Sequence, residues 1–395
     1  MKTRTIVVVG VLALMATLVL PATGAGAATT YDVEVGKFLT SAPAESMRFF
    51  PGTIDVHKGD TLHFTTESFH TATLLPVGQG VVDWYEANAT PGTSQPYALV
   101  QPDTEDTPNT YRFGNLAIFP TSSTCGGSGQ PACSYDGATV LNSGISVLFD
   151  GPMDWSVSID AAPGSSFWVV CLVHSANMRM KVNVVANTAP ASDPAALDTA
   201  NAQALAQDTA SAAALNAKYS AKQTWHTKGA HRVWDAWAGV DNRHVALYGM
   251  YPRTLHIAKG DTVQWHFDSL TFEDHTVTFP SDKAVKIANV FDPACDPDGD
   301  TGPLPDGPPD TIDPPFCTDP SQLEIHFSDK FVPKLGNGTV TGQRDLESSG
   351  VRGANSSELG GDANYNLRFG AASSGTGFKY ICMIHTFMRG RVVVR

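Results

Sequence analysis

Cysteine, charge and long apolar runs are all in short supply in this chain. Of 395 residues only 6 are Cys, and Asp, Glu, Lys and Arg together make up 16%. Basic residues are the scarcer sign, 26 Lys and Arg against 39 Asp and Glu, which leaves a net charge of −13. That balance excludes nucleic acid as an expected partner and does not suit an anionic membrane surface. Only residues 6–20 form a sustained apolar run, short for a membrane span, so no membrane span is expected.

What is present points to a turn-rich β protein. Hydrophobic residues reach 42%, with 35 Gly and 26 Pro. The length suggests two or three domains at about 100–200 residues each. The N-terminus reads as an export leader over residues 1–27: Lys2 and Arg4 are its basic start, residues 6–20 its apolar core, and Ala25-Gly-Ala27 its cleavage site. No Cys near Ala27 offers a lipid attachment point. A secreted, extracellular protein is expected.

The chain repeats itself. Phe50-Pro-Gly-Thr-Ile-Asp-Val-His-Lys-Gly59-Asp60-Thr-Leu matches Tyr251-Pro-Arg-Thr-Leu-His-Ile-Ala-Lys-Gly260-Asp261-Thr-Val. Alternating apolar residues that end in Lys-Gly-Asp-Thr predict strand, tight turn, strand. The closing segments match as well, Phe167-Trp-Val-Val-Cys171 with Phe378-Lys-Tyr-Ile-Cys382. The expected domains are residues 28–187 and 223–395. Residues 188–222, Ala-rich and nearly free of Gly, are the connector, probed for helix by Asp193 as N-cap before Pro194. Leu197, Leu205 and Leu215 form the thin apolar stripe by which that helix would pack on a domain.

Each half ends in the same short phrase, Cys171-Leu-Val-His174-Ser-Ala-Asn-Met178 and Cys382-Met-Ile-His385-Thr-Phe-Met388. Thiolate, imidazole and thioether on one loop, joined by a second imidazole, make the trigonal His₂Cys copper site with a weak axial Met. The second imidazole is His70 in Ser68-Phe-His70-Thr-Ala-Thr and His275 in Glu273-Asp-His275-Thr-Val-Thr. The duplication selects these four among 12 His. Aligned through Lys58-Gly59 and Lys259-Gly260, only His70 with His275 and His174 with His385 recur at matched places. The other eight are expected to be ordinary hydrogen-bonded or surface histidines.

Outside the loops, Cys125, Cys133, Cys295 and Cys317 fall as one close pair per half, and local pairs 125–133 and 295–317 are the simplest assignment of three possible pairings. They lie in the segments where the halves diverge, residues 121–142 and 291–319. Asp296-Pro-Asp298-Gly-Asp300 has a faint calcium-loop composition but no closing Glu, so a solvated acidic loop is expected.

These loops resemble those of the cupredoxin family, the fold of plastocyanin, pseudoazurin and amicyanin. Cys382-Met-Ile-His385-Thr-Phe-Met388 is most similar to the amicyanin loop, with two residues between His and Met. The first loop has three, which leaves Met180 as a fallback axial ligand to Met178. The family usually places Asn after its first His; Thr71 and Thr276 stand there instead, so hydrogen bonding behind the Cys loop must differ. The resemblance implies an all-β protein of two tandem Greek-key sandwiches with two type 1 copper ions. It also implies outer-sphere electron transfer with a redox partner protein. That partner would dock transiently at the edge of His174 or His385, beside Leu172, Val173, Met383, Ile384 and Phe387.

Two-domain copper oxidases and nitrite reductases are the rival class. They need a further catalytic copper, typically on His-x-His pairs or a His directly before the Cys. Val170 and Ile381 precede the two Cys, and no His-x-His occurs. The expectation is therefore an electron carrier that is not an enzyme. Extracellular copper binding or delivery is the other alternative, although 9 Met is no enrichment of the kind a metal store shows.

Overall fold

A computed structural model describes residues 28–88, 101–102, 110–112, 121–122, 124–145, 152–174, 176–267, 270, 273–289, 291–295, 323–353 and 364–395. The leader, Cys317 and the Asp296–Asp300 segment lie outside the described residues, so the expectations placed on them are not addressed. The side chain of Cys295 is likewise outside them.

Strands dominate, and their burial alternates as the period-2 pattern requires. Thr61–Thr66 and Met153–Ile159 each bury every second side chain. Each half is a sandwich of two sheets. In the first, strands Thr53–His57, Arg179–Val185, Ser166–Val170, Thr73–Leu74 and Leu141–Asn142 form one five-stranded sheet in that order. In the second, Thr254–Ile257, Arg389–Val394, Phe378–Ile381, Thr278–Phe279 and Glu347–Ser348 repeat the order strand for strand.

The opposing layers of the two halves are one structure. Strands Ala44–Phe50 and Val245–Tyr251 pair antiparallel, Ser46 opposite Val245, Glu45 opposite Ala246 and Ala44 opposite Leu247, joining both halves in an 11-stranded sheet. Residue 45 is the sequence counterpart of residue 246 in the duplication, so a pseudo-twofold axis runs between Glu45 and Ala246. Because Ala44–Phe50 lies inside the joint sheet, nearly all of its residues are buried on both faces.

Helix Pro194–Ser220 forms where the Ala-rich connector was read, with the Asp193 carboxylate accepting the Ala195 N–H at 3.2 Å. It packs across the seam instead of on one domain. Leu205 and Leu215 cover Leu39 and Ala44 of the first half together with Val240, Val245 and Leu247 of the second. Asp208, 3% exposed, accepts from Arg48 Nε at 2.8 Å and from Ser46 Oγ at 2.5 Å, which pins the helix to the seam strand. Cys125 and Cys133 are disulfide-bonded, and Cys171 and Cys382 are free and buried.

Candidate metal centres

Three pieces of chain bring each centre together. The strand ending at Val170 delivers Cys171 into the core, and the turn after it swings His174 back over the sulfur. Cys171 N–H donates to the Met178 carbonyl at 3.1 Å, and Cys382 N–H donates to the Met388 carbonyl at the same distance, so the two loops close alike. His70 and His275 arrive from the segments that follow strands Thr61–Thr66 and Thr262–His266.

In the first half, His70 Nδ1 and His174 Nδ1 are 3.0 Å apart and lie 3.7 and 3.4 Å from Cys171 Sγ. In the second, His275 Nδ1 and His385 Nδ1 are 3.2 Å apart and lie 4.0 and 3.8 Å from Cys382 Sγ. Metal bonds of about 2.0 Å to nitrogen and about 2.3 Å to sulfur, spread at 120°, would require edges of about 3.5–3.8 Å. Both triangles are close to that size, so a trigonal ion fits with small adjustments. Met178 and Met388 are each 1% exposed beside their loops. Met180 is on the strand Arg179–Val185, paired with Val169 and fully buried.

Thr71 and Thr276 supply the hydrogen bonding behind each Cys loop. The Thr71 N–H points at Cys171 Sγ at 3.5 Å while its hydroxyl accepts from Leu172 N–H at 2.9 Å. Thr276 repeats both contacts, at 3.2 Å to Cys382 Sγ and 2.6 Å from Met383 N–H. A hydroxyl therefore fixes the backbone just past each sulfur.

Electrostatics prepares both thiols for a cation. Burial by itself would raise the Cys171 thiol, yet the His174 and His70 rings outweigh it and bring it well below the ordinary range. Cys382 is lowered well below its ordinary value too, with burial opposed by His275 and His385. Burial would depress His174, but Cys171 and Glu273 push it up to about 10. A bound cation would take the place of those imidazole protons.

The histidine edges that face away from the sulfurs meet a network that the sequence reading did not anticipate. His70 Nε2 is 2.8 Å from Glu45 Oε1, and His174 Nε2 is 2.9 Å from Glu273 Oε1. The Tyr248 hydroxyl stands between the carboxylates, 2.9 Å from Glu45 Oε2 and 3.1 Å from Glu273 Oε1, and Ser68 Oγ donates to Glu45 Oε2 at 3.0 Å. Glu273 Oε2 is also 3.7 Å from His385 Nε2, and the Tyr248 ring centroid is 4.9 Å from that of His385. Both carboxyls are held below the usual carboxylate range: burial opposes this, and His70 acts on Glu45 as His174 acts on Glu273. The two centres thus face each other across the seam.

One available signal was the mismatch between halves. Glu45 aligns with Ala246, Met47 with Tyr248, and Ser68 with Glu273, so the network occupies places where the repeat fails. Another was a Gly inside an alternating strand. Gly36 and Gly239, at φ +69° and +73°, form bulges in matched strands, and a Cβ on either would overlap the Nε2 of His70 or His275.

The geometry corrects one docking expectation. His174 is only 4% exposed, its outer edge covered by Glu273 of the other half, so it presents no edge to a partner. Leu172, Val173 and Met383 are buried as loop packing, whereas Ile384 and Phe387 are 39% and 58% exposed beside a His385 side chain that is 20% exposed. Among the other histidines, His57, His63 and His266 have hydrogen-bond partners within the fold, as read.

Neither a protein-family model nor a curated protein sequence matches the chain. Among solved structures it is similar to a Cu-containing nitrite reductase (NirK) from Thermus scotoductus SA-01, at 12% identity and TM-score 0.23, over 93% of this chain and 68% of that one. It is also similar to the multicopper oxidase mgLAC, at 13% identity and TM-score 0.15, over 64% of this chain and 66% of that one. A blue copper oxidase from Nitrosomonas europaea follows at 10% identity and TM-score 0.14, over 64% of each chain. All are copper enzymes, so the expectation of a non-enzymatic carrier is withdrawn; likeness at this level assigns this chain no reaction. What stands is an all-β fold in two repeated halves, with a His/Cys/His metal-ligand set in each.

Proposed function

We propose that each half holds one copper ion, on His70, Cys171 and His174 in the first and on His275, Cys382 and His385 in the second, and that the protein passes single electrons through them. The observation that carries this reading is the doubled triad: two buried thiols, each with two Nδ1 atoms and all ligand atoms of a set within 4.8 Å. Thiolate favours the reduced ion and imidazole serves both oxidation states, the combination that lets copper cycle in a fixed frame. Met178 and Met388 are the axial ligands of this proposal. Their matched backbone bonds to Cys171 and Cys382 favour Met178 over Met180.

Electrons would enter or leave at His385, the partly open edge, with Ile384 and Phe387 as the apolar surface for a transient protein partner. Export belongs to the same proposal, since the Cys125–Cys133 disulfide suits an oxidising compartment.

Copper per chain and the visible spectrum of the copper-loaded protein test the reading. Two coppers and an intense thiolate band that bleaches on reduction are expected, with Cys171→Ser and Cys382→Ser each removing one. A wild-type protein with no such band overturns it. The same sample, given an artificial electron donor and either oxygen or nitrite, shows whether the electrons end on a substrate.

A further inference from the structure

The duplication makes the two metal-ligand sets alike, but their surroundings are unlike, and the difference is concentrated at the pseudo-twofold axis. The axis places Glu45 opposite its own counterpart, Ala246. Only one side of the seam therefore has a carboxylate at that point, and Ala246 offers nothing equivalent to His275. The first centre instead gains a second carboxylate from across the seam, because Glu273 belongs to the second half yet sits 2.9 Å from His174 Nε2. Its own counterpart, Ser68, turns to Glu45.

A histidine that ligates through Nδ1 is oriented by whatever accepts its Nε2–H, and such partners typically change metal affinity by about 10–100-fold when removed. Both ligand histidines of the first centre have a carboxylate there, Glu45 for His70 and Glu273 for His174. Tyr248, also from the second half and 6% exposed, lies within hydrogen-bond distance of both and holds them in register. Glu273 is two residues from His275, so the chain segment that orients the first centre is the one that supplies a ligand to the second.

We infer that Glu273 is a positioning residue for the metal of the first half: the second half completes the first centre, and Tyr248 fixes Glu273 for that task. This rests on the metal-binding reading above. It goes beyond that reading by making the first centre dependent on the seam, with the coupling carried through one side chain.

Full-length Cys382→Ser, which leaves only the first centre, is the background for the test. In it, Glu273→Gln is expected to weaken copper binding by about 10–100-fold in competition with a chelator and to shift the thiolate band. Tyr248→Phe is expected to act in the same direction with a smaller effect. In the reciprocal Cys171→Ser background, Glu273→Gln should change the second centre by less than about threefold, because His385 Nε2 is 3.7 Å away, beyond hydrogen-bond reach. Unchanged affinity and spectrum at the first centre, or an equal effect at both, overturns the inference.

A metal-free readout separates this outcome from failure of the copper reading. The Nε2-bound proton of His174, held on Glu273, should appear in proton–nitrogen correlation spectra of the apo protein and be lost in Glu273→Ala, which has no acceptor there. Its absence from the protein with Glu273 intact overturns the inference whether or not copper binds. Melting curves of the apo variants identify any that are unfolded, and in that case Glu273→Asp is read in its place, with partial retention of affinity expected.

Discussion

Gly36 and Gly239 show how much a centre depends on a position that carries no chemistry. Each is held at positive φ, and the absent Cβ is the space into which a histidine edge fits. Gly36→Ala is expected to cost about 1–3 kcal/mol in stability and to displace His70, so copper per chain should fall by one while the second centre is retained. Gly239→Ala should mirror it, with the first centre retained. Atomic absorption with thermal melting checks both.

His63 provides a pH test remote from the metal sets. Burial tends to lower it, but Asp32 and Asp154, at 2.8 Å from its two ring nitrogens, outweigh burial and raise it above the ordinary value of 6.5. A raised histidine contributes stability that is complete below about pH 6.5 and lost as pH rises through its folded value. The melting temperature should therefore step down across that window, and His63→Gln should remove the step. A step that persists in the variant would assign it to another group.

At the scale of elements, helix Pro194–Ser220 lies over the seam with most of its surface open. Only Asp208 and Ala212 are buried along its 27 residues. Asp208→Ala removes the acceptor for Arg48 and leaves Ser46 without its partner, and a loss of about 2 kcal/mol is expected in urea unfolding. The helix was legible because capping and composition are local signals: Asp193, Pro194 and the missing glycines say helix regardless of context. Its packing was not legible, since an Ala-rich surface with a thin Leu stripe fits many partners. The apolar ground it covers is assembled only when the strands of both halves meet.

At the scale of the whole molecule, the seam decides which centre faces outward. The first centre is closed by the second half, and the second keeps the His385 edge partly open beside Ile384 and Phe387. Because the halves share a continuous sheet, the seam amides of Met47 and Tyr248, which donate across it to the His244 and Pro43 carbonyls, should exchange with solvent as slowly as those of central strands. Edge strands of two independent domains would exchange fast, and hydrogen exchange read by mass spectrometry tells the two apart.

By itself, the sequence determined what is local or repeated. Strand alternation, the Lys-Gly-Asp-Thr turns, the capped connector and the two Cys-x-x-His-…-Met loops all act within a few residues, and duplication doubled each signal. Matched recurrence also singled out His70 and His275, which lie 101 and 107 residues from their cysteines. Tertiary structure alone decided what depends on the pairing of Glu45 with Ala246. That register brings Glu273 to His174, places Tyr248 between two carboxylates and closes one centre while leaving the other open. The pairs in contact are 25 to 203 positions apart. Nothing in their identity announces the contact, because a buried carboxylate becomes tolerable only after the fold has supplied its donors.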